Sequence, residues 1–242
     1  MELVKHKRVE LTELFYDLVY VYAISQVTTL IHHNNLNINT IFEFIVGMII
    51  YVNSWMVQTV FTNRFGKNSL VNIFSMFIQM IFLLTSSTAI TSNWNTNFYQ
   101  FILPMSFLSF VLLGQYILEY FKESNRINRP VIRPFFYIMG LRTLILLVSA
   151  FIPYKYGLVM ATVGILLTWI LPGILIKNAE TSSHRIAVQI NFPHLIERLS
   201  LLIIITFGEM IINIAPLFNN KHLSIISIFI FFQLPIYLWF IL

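Results

Sequence analysis

The chain of 242 residues is 57% apolar and only 10% charged, with a mean hydropathy of +0.77. A soluble domain carries about a quarter charged residues, so a soluble globular class is excluded, and the absence of Cys excludes disulfides, thiolate metal sites and cysteine nucleophiles. The net charge of +5 raises nucleic acid as a partner, but the basic residues fall where membrane topology places them, and no nucleic-acid binding is expected.

These observations predict an all-α, polytopic bundle of transmembrane helices in a single domain over 1–242. A hydrocarbon core of ~30 Å needs ~20 apolar residues per helix. Eight segments qualify, at about 11–32, 40–61, 69–91, 98–121, 134–153, 157–176, 194–215 and 223–242. The breaks between them are short and polar. Lys5, Lys7 and Arg8 precede the first span, but that span holds Glu13 and Asp17 and no small-residue cleavage site follows. It reads as a retained helix rather than a signal peptide.

The first span carries Glu13, Asp17, Tyr20 and Thr28 on one stripe at helical spacing. Glu13 is expected at the membrane surface, in water or favoured by the helix dipole; Asp17 is a turn deeper and harder to explain that way. In the second span Glu43, Gly47, Ser54 and Gln58 share a face. Two readings stand there: a face packed on neighbouring helices, eased by small residues, or the lining of a hydrated path. The third span places Ser75, Gln79 and Ser86 on one side. Pro104, Pro172-Gly173 and Pro235 interrupt the fourth, sixth and eighth spans, and each frees backbone carbonyls.

In the fifth span Arg142 lies about nine residues past Arg133. Either its long stem snorkels to the inner surface or it pairs with Asp17. The seventh span opens with Asn191 and Pro193, a cap followed by proline in the first turn. His194, Arg198, Glu209 and Asn213 then fall on one side. Glu197 and Arg198 are expected at the cytoplasmic interface. Glu209 stands roughly 21 Å beyond Leu195 at 1.5 Å per residue, past the midplane, where a short carboxylate needs a partner or water. Gly208 beside it allows a second backbone to come close. The eighth span stops at Leu242 within apolar sequence, which reads as truncation of a longer chain.

Lys and Arg alternate with the predicted breaks. The N-terminus holds Lys5, Lys7 and Arg8; the second break Arg64 and Lys67; the fourth Lys122, Arg126, Arg129 and Arg133; the sixth Lys177 and Arg185. The other breaks hold only Lys155 and Lys221. This bias places the N-terminus in the cytoplasm, and anionic lipid headgroups suffice as partners for the basic residues.

Enzyme signatures are missing: there is no glycine-rich phosphate loop and no serine nucleophile elbow. His32-His33 is adjacent rather than i, i+4, and His194 and Glu197 form a single i, i+3 pair, so neither a metal nor another cofactor is expected. Glu13-Leu14-Phe15 and Glu197-Arg198-Leu199 echo one another across six spans, for which chance similarity of apolar helices is the simpler account.

Two stretches are more specific than composition, ELFYDLVYVYAISQV from Glu13 to Val27 and HLIERLSLLIIITFGEM from His194 to Met210. Together they resemble the bacterial low temperature requirement A family of membrane proteins. The resemblance rests on Glu13, Leu14, Phe15, Asp17, Leu18 and Val19, with Tyr20 where phenylalanine is usual. It rests also on His194, Glu197, Arg198, Gly208 and Glu209, and Asn63-Arg64-Phe65 fits as well. It implies a multi-pass bacterial membrane protein and a longer full chain, and it implies no reaction or substrate. The buried charges then suggest transport of a proton, cation or small solute. Asp17, Glu209 and Glu43 are the candidate binding carboxylates, and Arg198, Glu197, His194, Arg142 and Glu13 the charge partners. A non-transporting stress or envelope factor that binds a partner or lipid is the alternative.

Overall fold

A computed structural model describes residues 8–33, 37–90, 94–122, 129–177 and 191–214. Among these residues the chain is entirely helical outside its turns. The helices are α1 (Leu11–His33), α2 (Ile38–Phe65), α3 (Leu70–Thr88), α4 (Trp94–Lys122), α5 (Arg129–Ser149), α6 (Tyr154–Lys177) and α7 (Phe192–Ile214). They correspond to the first seven predicted spans, and the eighth, 223–242, lies outside the described residues. Several helices outrun the apolar segments that predicted them. α2 has 28 residues and α4 has 29, because polar residues at their ends extend the hydrogen-bonded ladder past the apolar stretch.

Local chemistry sets the ends. The Ser69 hydroxyl accepts the Asn72 N–H at 3.4 Å and caps α3. Pro153 ends the α5–α6 turn, and its carbonyl accepts the N–H groups of Tyr156 and Gly157. A Cβ at Gly157 would stand 2.6 Å from the Ser149 carbonyl oxygen, so only glycine fits that turn. A Cβ at Gly164 would stand 2.5 Å from Ile145 Cγ2, which shows how closely α6 lies on α5.

α2 is the spine of the bundle and touches α1, α4, α6 and α7. α1 packs on α2, α3 and α7, while α4 lies against α3 and α5. The main apolar core joins α1 to α4 through Tyr16, Tyr20, Ile50, Tyr51, Trp94 and Phe101. A second cluster, around Phe61, Tyr116 and Phe135, fills the end where α2, α4 and α5 meet.

The outside is apolar and the inside partly polar, the reverse of a soluble protein. Phe74, Ile81, Phe110, Leu144 and Ile204 are exposed, whereas Asp17, Asn53, Gln58, Gln79 and Arg198 are fully buried. An apolar exterior of that extent is at home in lipid. By length and composition α2, α3, α4, α5 and α6 are able to cross a membrane. The other two, α1 and α7, have 23 residues each but are diluted by Glu13 and Asp17 and by Glu197, Arg198 and Glu209. Those two helices lie side by side, and Glu13 and Asp17 of α1 meet His194 and Arg198 of α7.

Candidate functional site

Asp17 and Arg198 form a sealed pair between α1 and α7, and neither exposes any surface. Arg198 Nη2 donates to Asp17 Oδ1 at 2.5 Å and Nε to Oδ2 at 3.1 Å. The Trp55 indole N–H, from α2, donates to Oδ1 at 2.7 Å. Arg198 Nη1 donates to the Thr62 hydroxyl at 2.7 Å, and the guanidinium carbon lies 5.9 Å from the Trp55 ring centroid. A two-pronged guanidinium–carboxylate pair is among the strongest polar contacts available. It helps to offset the several kcal/mol that each ion loses on leaving water, because each nitrogen of the guanidinium has a partner. Arg198, near the start of α7, is therefore held inside the bundle rather than exposed at its surface. The α1–α2–α7 junction draws it inward.

One turn toward the N-terminus of both helices, His194 Nε2 lies 2.9 Å from Glu13 Oε2. Glu13 is 4% exposed, which corrects the expectation that it sits in surface water. The Asn63 side chain fixes the imidazole. Its Oδ1 accepts the Asn191 N–H at 3.0 Å, and its Nδ2 donates to the Asn191 carbonyl at 2.8 Å. That leaves Nδ2 facing His194 Nδ1 at 3.2 Å. An amide so oriented presents a donor to Nδ1, and Nε2 is left facing the Glu13 carboxylate. The Asn191 carboxamide in turn accepts the His194 N–H at 3.2 Å, the N-cap expected from the sequence.

Both pairs span 181 residues. Glu13 meets His194 and Asp17 meets Arg198 in the same order, so α1 and α7 run parallel and in register. The two sequence stretches that stood out are thus one site, closed by Trp55, Thr62 and Asn63 of α2.

Arg142 is 2% exposed and belongs to a different cluster. Its Nη1 donates to Asn53 Oδ1 at 2.8 Å and its Nη2 to the Ser54 hydroxyl at 2.6 Å. Asn53 Nδ2 donates to Thr168 of α6 at 3.0 Å. Arg142 neither snorkels nor pairs with Asp17: its α5 position faces the interior, and Asp17 is already held by Arg198. Its partners are all neutral, and its Nε has no hydrogen-bond partner among the described residues. Between the two guanidinium groups α2 presents Gln58, fully buried, with both side-chain atoms unpartnered among the described residues. Ser54, Gln58 and Thr62 are successive turns of one face. A further chain of polar groups runs from the Tyr16 hydroxyl to Gln79 Oε1 at 2.8 Å and from Gln79 Nε2 to Gln115 Oε1 at 3.0 Å.

The other predicted carboxylates stand apart. Glu43 accepts a short hydrogen bond from the Tyr154 hydroxyl where α2 and α6 begin, and it is half-buried. It lies 19 residues before Thr62, so roughly 28 Å away along α2. Glu209 is half-buried and makes no hydrogen bond or ion pair with a described residue. It is eleven residues beyond Arg198, roughly 17 Å along α7. Among the described residues nothing comes within 4 Å of a Cβ built on Gly208, so no close backbone approach is found there. Glu197, half-buried, lies beside the site on the same helix. No three His, Asp or Glu side chains gather as a metal site among the described residues.

The sequence profile of the bacterial low temperature requirement A protein, LtrA, matches residues 8–242. The chain belongs to the LtrA family. No curated protein and no solved structure matches it. In this LtrA chain the residues that sequence reasoning overlooked are Asn53, Trp55 and Thr62. Their signal was available as amide, indole and hydroxyl groups recurring on the buried side of the second span. What the sequence did not reveal is that the acids of α1 face the bases of α7.

Proposed function

We propose that this LtrA protein is a transporter or channel for protons, cations or a small solute, with Asp17 as its proton-accepting carboxylate. Eight spans, a cytoplasmic N-terminus and residence in the bacterial inner membrane complete the reading, and neither enzymatic activity nor nucleic-acid binding is part of it. The observation that carries it is the place of Asp17, the chain's sole aspartate, at the junction of three helices. A proton and Arg198 compete for the same carboxylate. Protonation weakens the tie between α1 and α7, and an ion pair that holds two helices together is a bistable joint of the kind alternating access needs. Glu13 and His194 form a second acid–base tie across the same seam. Gln58, with a donor and an acceptor to spare, offers a polar step between Arg142 and Arg198. Glu43 and Glu209, far from the junction along their helices, serve as entry or exit carboxylates on this reading.

Flux into proteoliposomes, with and without a pH gradient, tests the proposal. Wild type should carry flux that Asp17→Asn abolishes and Glu209→Gln reduces.

One observation favours the alternative, a non-transporting stress or envelope factor that binds a partner or lipid. The Asp17–Arg198 pair is completely sealed and each guanidinium nitrogen has a partner, as in a structural tie. On that reading Asp17→Asn destabilises the protein, and neither it nor wild type carries flux above empty vesicles.

A further inference from the structure

A cavity of about 410 Å³ lies between α2, α4, α5 and α6, away from the charge cluster. Met56, Val60 and Arg64 line it from α2, one residue per turn. Phe135 walls it from α5, and Trp169 and Gly173 from α6. Among the described residues nothing comes within 4 Å of a Cβ built on Gly173, so they leave the groove open at that point. Met56 and Trp169 form an outer lip, 47% and 46% exposed, on the apolar exterior of the bundle.

The lining is mostly apolar, its polar side chains being chiefly Thr168, Tyr116 and Arg64, and Arg64 is at the end of α2. Its guanidinium lies over the Phe135 ring, 5.1 Å from the centroid. Its Nε and Nη1 are buried and have no hydrogen-bond partner among the described residues. No acidic residue pairs with it among them. The nearby Glu119 carboxylate is matched with Lys67 at 3.7 Å. An unpaired cation at a helix end, heading an apolar groove, has one complementary ligand chemistry: an anionic head on an apolar chain. Met56 to Arg64 spans eight residues, roughly 12 Å, most of a leaflet whose hydrocarbon is ~15 Å deep.

We propose that this groove is a binding site for an anionic phospholipid. The phosphate sits on the Arg64 guanidinium, and one acyl chain lies along α2 between α5 and α6. A free anion would leave the apolar depth unused. A zwitterionic lipid would bring a cation to a site that has no acid to receive it. The site stands whether or not the protein transports.

The test uses the full chain in detergent, with native mass spectrometry and thermal unfolding against added phosphatidylglycerol or phosphatidylcholine. Wild type should retain phosphatidylglycerol about tenfold better than phosphatidylcholine, the factor one charge-assisted contact supplies. Arg64→Gln should remove that preference. Arg133→Gln, at an exposed arginine of α5, should keep it. Gly173→Leu fills the groove with Arg64 intact and should lower binding of both lipids; it decides the matter if Arg64→Gln does not fold. Equal retention of the two lipids by wild type would overturn the proposal. So would an equal loss in Arg133→Gln, which would mean diffuse surface charge. Full displacement of the lipid by millimolar inorganic phosphate would likewise overturn it, leaving an anion site only.

Discussion

Removing Arg198 is the sharpest perturbation of the junction. In Arg198→Met, Asp17 Oδ2 loses its guanidinium donor and Oδ1 keeps only the Trp55 indole N–H. A carboxylate left buried and unpaired costs about 3–5 kcal/mol. For a chain of this length, each kcal/mol moves the unfolding midpoint by about 2–4 °C, so the expected loss is roughly 6–20 °C. Asp17→Asn instead leaves the guanidinium buried without a counter-charge, bonded only to neutral oxygens such as that of Thr62, and should cost a similar amount. The double variant Asp17→Asn with Arg198→Met buries no charge, and the asparagine carbonyl still accepts from Trp55. It should therefore be more stable than either single variant. Thermal unfolding of the four proteins in one detergent completes a double-mutant cycle. A single Arg198→Met loss under about 1 kcal/mol would refute the reasoning, as would a double loss equal to the sum of the singles.

Other changes separate the contacts. Arg142→Met gives up bonds to Asn53 and Ser54 but also removes a buried cation and leaves no carboxylate stranded, so it should cost about 1–2 kcal/mol by the same melt, clearly less than Arg198→Met. Asn63→Leu breaks the two bonds to the Asn191 backbone and the one to His194, and should lose about 2–3 kcal/mol. Gly157→Ala forces a methyl against the Ser149 carbonyl and should cost about 1–3 kcal/mol, whereas Gly208→Ala should be neutral or slightly stabilising. The contrast between the two glycines is read by comparing their midpoints with wild type.

Much of the fold was legible because hydropathy and helix length are linked by the thickness of the bilayer. Seven of the spans correspond to described helices, and the Asn191–Pro193 start of α7 matches its cap. The candidate site was legible in its members and not in its pairing. Glu13, Asp17, His194 and Arg198 stand out as polar residues in apolar helices, but periodicity orders residues around one helix and says nothing of which helix lies opposite. The expectation that Glu13 sits in surface water failed for that reason: tertiary packing buries it against His194, as it buries Asp17 against Arg198, each partner 181 residues away. Arg142 failed likewise, because its partners are neutral groups on α2 that no charge-based reading selects. Glu209 drew attention through its depth and its place in the second stretch, and neither brings it to the junction.

The central claim is that Asp17 exchanges a proton for Arg198 during transport. Proton uptake into proteoliposomes under an imposed pH gradient tests it most directly, with wild type and Asp17→Asn reconstituted at equal, verified folded amounts. The account predicts uptake well above empty vesicles for wild type and none above them for Asp17→Asn. Equal uptake by the two proteins, or wild-type uptake no greater than that of empty vesicles, would contradict it.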